Sequence, residues 1–190
     1  NGIYHDLTNQ DFMDFFANEL MQKMVITGKK AEIETIINKM PSTPIPNYAY
    51  KNNTNLTFSN QAQNWGLDTP SFSNGAAYGD LDNDGDLDLV VNNVNMEAFV
   101  YKNNAEKLSK NNYLSVKLDG GATNRFGIGA KVKLYSKGKL MYQEQSPVRG
   151  FQSSNDPVLN FGVGENTTID SLIVIWTNDS YQKLTSVKTN

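Results

Sequence analysis

A chain of 190 residues, 38% of them apolar, can bury a core and has room for one large domain or two small ones. Its formal charge of −3 without a basic stripe argues against nucleic acid as a partner, and the absence of cysteine excludes disulfides, thiolate metal sites and a cysteine nucleophile. No apolar run approaches the ~20 residues that cross a bilayer, so no transmembrane segment is expected.

The chain begins without an initiator Met or a signal peptide, which reads as a processed product or an excised fragment. His5 is the only histidine. No Ser or Cys elbow, HExxH motif or phosphate loop accompanies it, so it reads as an incidental loop residue. Thr8, with Asp11 three residues on, predicts a helix start. Phe12, Phe15, Phe16, Leu20, Met21, Met24 and Val25 follow at helical spacing, and Gly28 is the expected stop. A second short helix carries Ala31, Ile33, Ile36, Ile37 and Met40 and ends at Pro41. Such a stripe usually packs into its own domain; a docking surface is the rival reading. Ser42 to Pro46 is an extended connector, so residues 1–46 form one segment.

From residue 47 the pattern changes to period two. Tyr48–Asn52 and Leu56–Ser59 flank an Asn-rich turn, which predicts a hairpin, and Trp65 is the expected core anchor of a β unit over residues 47–104. That unit is organised around Asp80-Leu-Asp-Asn-Asp-Gly-Asp-Leu-Asp88. Asp80, Asp82 and Asp84 can converge on one point if the backbone wraps, and Gly85 permits the turn. The carbonyl of Asp86 and the carboxylate of Asp88 would complete an all-oxygen cage, which selects Ca²⁺ over softer metals. Position twelve is Val91 rather than Glu, and the following Leu89-Val-Val91 is strand-like. The loop therefore joins two strands and is not an EF-hand. The bland alternative is a solvated acidic turn, but the spacing is more specific than a charge run. Paired carboxylates for glycoside hydrolysis are a poor fit, because a cage turns them inward onto the ion. A site of this kind suits the outside of the cell, where Ca²⁺ affinities of ~10⁻⁴–10⁻³ M suffice.

The run from Asn74 through the acidic loop to Asn93 resembles an FG-GAP/VCBS repeat, the calcium-binding blade of integrin-type β-propellers. The resemblance implies that Asp80, Asp82, Asp84, Asp86 through its carbonyl, and Asp88 hold Ca²⁺. It also implies that Asn1 to Tyr4 end an earlier blade and that further blades are partners, since one blade exposes its edges.

Residues 105–111 are polar and read as a linker. Beyond it, Tyr113–Leu118, Ala130–Tyr135, Leu140–Glu144, Val158–Phe161, Ser171–Trp176 and Gln182–Val187 read as strands, with Ser136–Lys139 as a hairpin turn. They predict a small antiparallel sandwich or barrel over residues 112–190. Asn124–Val132, Arg149–Ser154, Phe161–Gly164 and Ile173–Trp176 resemble the ASPIC/UnbV domain. That family often has Pro-Asp-Gly after the tryptophan, where this chain has Thr177-Asn-Asp-Ser180. Arg125 and Arg149 sit in glycine-rich loops and are candidate ligand contacts; the alternative is that each holds its own loop.

The expected fold is mainly β, with an N-terminal helical pair, one calcium-loop blade and a small β-sandwich or barrel. The expected role is a non-enzymatic, calcium-binding adhesion or interaction module for a protein or glycan, located extracellularly, at the cell surface or in the periplasm. The alternative is a polysaccharide-processing enzyme or its carbohydrate-binding accessory.

Overall fold

The computed structural model describes residues 8–30 and 32–190, the side chain of Ile37 excepted. Asn1 to Tyr4, His5 and Ala31 lie outside the described residues. The chain is mainly β, 37% strand against 15% helix, as the predominance of period-two stretches requires. It divides into two compact units, Asn1–Asn74 with Asn93–Glu97, and Gly75–Asn92 with Ala98–Asn190.

In the first unit an 18-residue helix is α-helical over Gln10–Asp14, π-helical over Phe15–Leu20 and α-helical again over Met21–Thr27. Its cap is Asn9 rather than Thr8: the Asn9 side-chain oxygen accepts the Phe12 N–H at 3.1 Å. Asparagine is at least as good a cap as threonine, so the start moves one residue. Gly28 ends the helix as expected, left-handed at φ +65, its N–H donating to the Met24 carbonyl.

The apolar stripe does not form a buried face along its length. Phe12 and Leu20 are buried, but Val25 is 80% exposed and its neighbour Ile26 82%. The π-turn explains the loss: each i→i+5 bond shifts the register, and residues beyond it rotate off the face defined by a 3.6-residue count. The second helix, Ile33–Lys39, meets the first through the Lys39 ammonium, 5.6 Å from the Phe15 ring centre.

Strands β1 (Tyr50–Asn52) and β2 (Phe58–Asn60) pair antiparallel as the expected hairpin, with Tyr50 opposite Asn60. They form a sheet of their own. The β unit expected over residues 47–104 consists of this pair and a separate three-stranded sheet, β3 (Ser73–Gly79), β4 (Asp88–Asn93) and β5 (Phe99–Tyr101). Trp65 is 53% exposed and anchors no core; Ala62, in the same turn, is buried instead. A buried polar chain joins Ser71 to Ser73 at 2.7 Å and Ser73 to Asn93 at 3.1 Å, and Asn93 donates to the Glu97 carbonyl.

In the second unit the C-terminal strands are β6 (Asn112–Lys117), β7 (Lys131–Ser136), β8 (Lys139–Glu144), β9 (Val158–Gly164), β10 (Thr168–Ile175) and β11 (Tyr181–Lys188). They make a four-stranded sheet in the order β11-β10-β7-β8 and a two-stranded β6-β9 sheet, with no closed barrel. Alternate residues of both sheets, among them Val132, Leu134, Phe161, Ile169 and Leu172, meet in one buried apolar cluster, the sandwich alternative. Lys137 and Gly138, at φ +46 and +75, make the two-residue turn between β7 and β8. At the departure from Pro-Asp-Gly, Asp179 takes the left-handed φ of +63. The turn still closes, with Trp176 N–H donating to the Ser180 carbonyl.

Candidate metal centre

The acidic loop lies between β3 and β4 in the second unit. A tight wrap is built into it. Gly85 has φ +94, and a Cβ there would collide with the Tyr113 ring on β6. Only glycine meets both demands. Asp80 starts the wrap by accepting the Asp84 and Gly85 N–H groups on its two oxygens, each at 3.1 Å. Asp88 closes it. Buried at 3% exposure, its carboxylate accepts the Leu81 N–H at 3.1 Å and the Asn103 N–H at 2.8 Å. These charged-acceptor bonds hold the loop's two ends together and to the residues after β5.

The fold thereby brings carboxylate oxygens of Asp80, Asp82 and Asp84 within 4.8 Å of one another. A second group within the same distance combines Asp84, Asp86 and Glu106. Glu106 lies on a four-residue helix, Ala105–Leu108, inside the stretch expected to be a linker. Four residues are too few to show a helical period, which is why that segment read as irregular. Asp86 Oδ2 caps this turn, accepting the Ala105 N–H at 2.9 Å and the Glu106 N–H at 3.4 Å. Asp86 Oδ1 is buried without a partner among the described residues.

The electrostatics follow. Desolvation, with the negative charge of Asp84, pushes the Asp86 carboxyl above the usual carboxylate range against the opposing pull of the Glu106 and Ala105 N–H groups. At Glu106 desolvation acts upward as well. Its own backbone N–H, the neighbouring Asp86 carboxyl and the ammoniums of Lys107 and Lys102 outweigh it and hold the group low. Lys102, just after β5, carries the compensating charge: its ammonium bridges Asp82 and Asp84, 3.0 Å from the Asp84 oxygen. One half-exposed ammonium cannot balance five carboxylates within nine residues. The donors that converge are oxygen throughout, Asp80, Asp82 and Asp84 in one group and Asp84, Asp86 and Glu106 in the other, with Asp88 in neither, and their chemistry suits a hard divalent cation. Sequence reasoning missed Lys102, Asn103 and Glu106, which lie 14 or more residues beyond the motif and are brought to it by the β4-β5 hairpin.

The two arginines separate. Arg125 is exposed, and Asn124 rather than Arg125 clamps its loop: the Asn124 amide accepts the Ile128 N–H at 2.8 Å and donates to the Ile128 carbonyl at 2.9 Å. Arg149 lines a cleft, described below, and its guanidinium has no ion-pair partner among the described residues.

Comparison with family models defines the class. Residues 37–91 match the FG-GAP-like repeat and residues 120–190 match the family ASPIC and UnbV. The chain thus carries an FG-GAP-like repeat followed by an ASPIC and UnbV domain, in the order that its loop and its C-terminal motifs resemble. No curated protein matches it. No helix of the described residues is long and apolar enough to cross a membrane.

Proposed function

We propose that the chain is a non-enzymatic, extracellular interaction module whose Asp80–Asp88 loop binds Ca²⁺. Asp80, Asp82 and Asp84 would hold the ion with their carboxylates, joined by the Asp86 carbonyl and Asp88. Its contribution is to neutralise the crowded loop and fix the β3–β4 connection, without taking part in any reaction. The observation that carries the reading is the convergence of three carboxylates within 4.8 Å on a loop wrapped around a left-handed glycine. The two family matches support an interaction role, for a protein or glycan ligand and with further blades of the same kind as neighbours of the β3–β4–β5 sheet.

Isothermal calorimetry of the chain with CaCl₂, and with MgCl₂ as control, tests the metal. A saturable calcium heat, absent for magnesium and lost in Asp82→Asn, is expected. Equal heats for the two cations, or no heat at all, would remove the metal from the proposal.

A further inference from the structure

An open cleft of about 720 Å³ lies within the second unit, inside the roughly 300–1,000 Å³ range of small-ligand sites. Tyr78 from β3, Tyr142 and Glu144 from β8, and Arg149, Asn155 and Asp156 from the segment before β9 line it. We infer that this cleft binds a neutral oligosaccharide, stacked on the two tyrosine rings and held by hydrogen bonds from the polar rim.

The cleft is preformed. Residues 149–154 form a loop closed by a bridge between Val148 and Ser154 and by the Asn155 N–H donating to the Pro147 carbonyl at 2.8 Å. That loop lies directly on β3 at Gly75, where a Cβ would stand 2.7 Å from Ser153 Oγ. Asn155 Oδ1 accepts the Tyr78 N–H at 2.9 Å and fastens the loop to the same strand. These contacts spend the amide oxygen of Asn155 and leave its Nδ2 buried without a partner among the described residues. The Arg149 guanidinium offers the cleft unengaged donors, and acceptors come from Asp156 and from Glu144, one oxygen of which already accepts from the Tyr142 hydroxyl at 3.4 Å.

Three features select the ligand class. Tyr78 and Tyr142 keep 40% and 49% of their surface exposed although they line a concavity, and an exposed ring offers an apolar face for the C–H side of a sugar. One cation against two carboxylates makes the rim net negative, which disfavours an anionic ligand. A peptide adding as a strand is disfavoured too, because the Asn160 and Pro157 carbonyls are already taken by the Gln143 and Gln145 amides, at 2.6 and 2.7 Å. Donors and acceptors together beside exposed tyrosine rings match an uncharged polyol.

The inference deepens the interaction role proposed above, and only its calcium dependence rests on the metal loop, through Tyr78 and Leu87 at the loop's two ends. The test is retention of the whole chain on immobilised cellopentaose, chitopentaose, mannopentaose and, as the acidic probe, polygalacturonate, in calcium and in EDTA. At least one neutral probe should be retained. Retention should fall at least tenfold in Tyr142→Ala and in Arg149→Ala, stay within twofold in Tyr142→Phe, and be unchanged in Arg125→Ala, all with unaltered melting temperature. Retention of polygalacturonate alone, of no probe, or of a neutral probe equally by all variants overturns the cleft assignment. Neutral-sugar binding indifferent to EDTA would remove the coupling to the loop and leave the cleft standing. Calcium binding by calorimetry without any sugar retention would do the reverse.

Discussion

The C-terminal sandwich and the N-terminal helical pair both announce themselves by apolar periodicity, yet only one of them buries what it announces. In the sandwich, Val132, Leu134 and Ile169 are wholly buried because two sheets supply opposing faces. In the helix, Val25 and Ile26 remain in water, because a π-turn breaks the register before the stripe can meet a partner. Periodicity therefore reports which residues could share a face, while burial needs a second surface in the same register. The acidic loop is a third case, in which charge rather than apolar area must be satisfied, and it follows a different test: variants there should depend on the solvent's cations, and variants in the sandwich should not.

The largest effect is expected in the sandwich. Leu134→Ala removes a wholly buried side chain at the centre of β7 and should cost ~2–5 kcal/mol in urea unfolding, with the same value in calcium and in chelator. A calcium-dependent cost would mean that loop and core are one energetic unit.

Next comes the hinge of the loop. Gly85→Ala forces a Cβ onto the Tyr113 ring at a left-handed backbone and should cost about 1–3 kcal/mol. Its calcium heat should fall with its stability, since the wrap that gathers Asp80, Asp82 and Asp84 is what the substitution opens. The smallest effect belongs to the helix. Ile26→Gln exchanges an 82% exposed side chain and should alter stability by no more than about 0.5 kcal/mol, measured by the same unfolding. A larger loss would show that the helix face is covered in solution.

Much of this was legible in the order of residues, for stated reasons. Alternation marked several of the six C-terminal strands, and β7 and β9 bury every second residue as a sandwich core requires, whereas β11 is exposed along nearly its whole length. The loop was legible as a spacing of aspartates around one glycine, and the glycine's φ of +94 is what that spacing demands. Longer-range matters were not legible. Glu106 joins the loop only because Asp86 caps a four-residue helix, and Lys102 reaches it only because β5 pairs with β4. Trp65 looked like an anchor by its size alone, and size does not say whether a facing surface exists. Arg125 and Arg149 looked equivalent in sequence. They part because Asn124 already closes the one loop, while the other is held on β3 through Asn155 and leaves its arginine to the cleft.

The most direct measurement of the central claim is the melting temperature of the chain and of Asp84→Asn, each in millimolar CaCl₂ and in EDTA. Asp84 belongs to both groups of converging carboxylates, so its substitution removes charge from each. Binding to the folded loop alone should stabilise the unaltered chain by about 1–3 kcal/mol, read as roughly 2–4 °C per kcal/mol at this size, and Asp84→Asn should melt alike in both buffers. Identical curves for the unaltered chain in calcium and in EDTA would contradict the account.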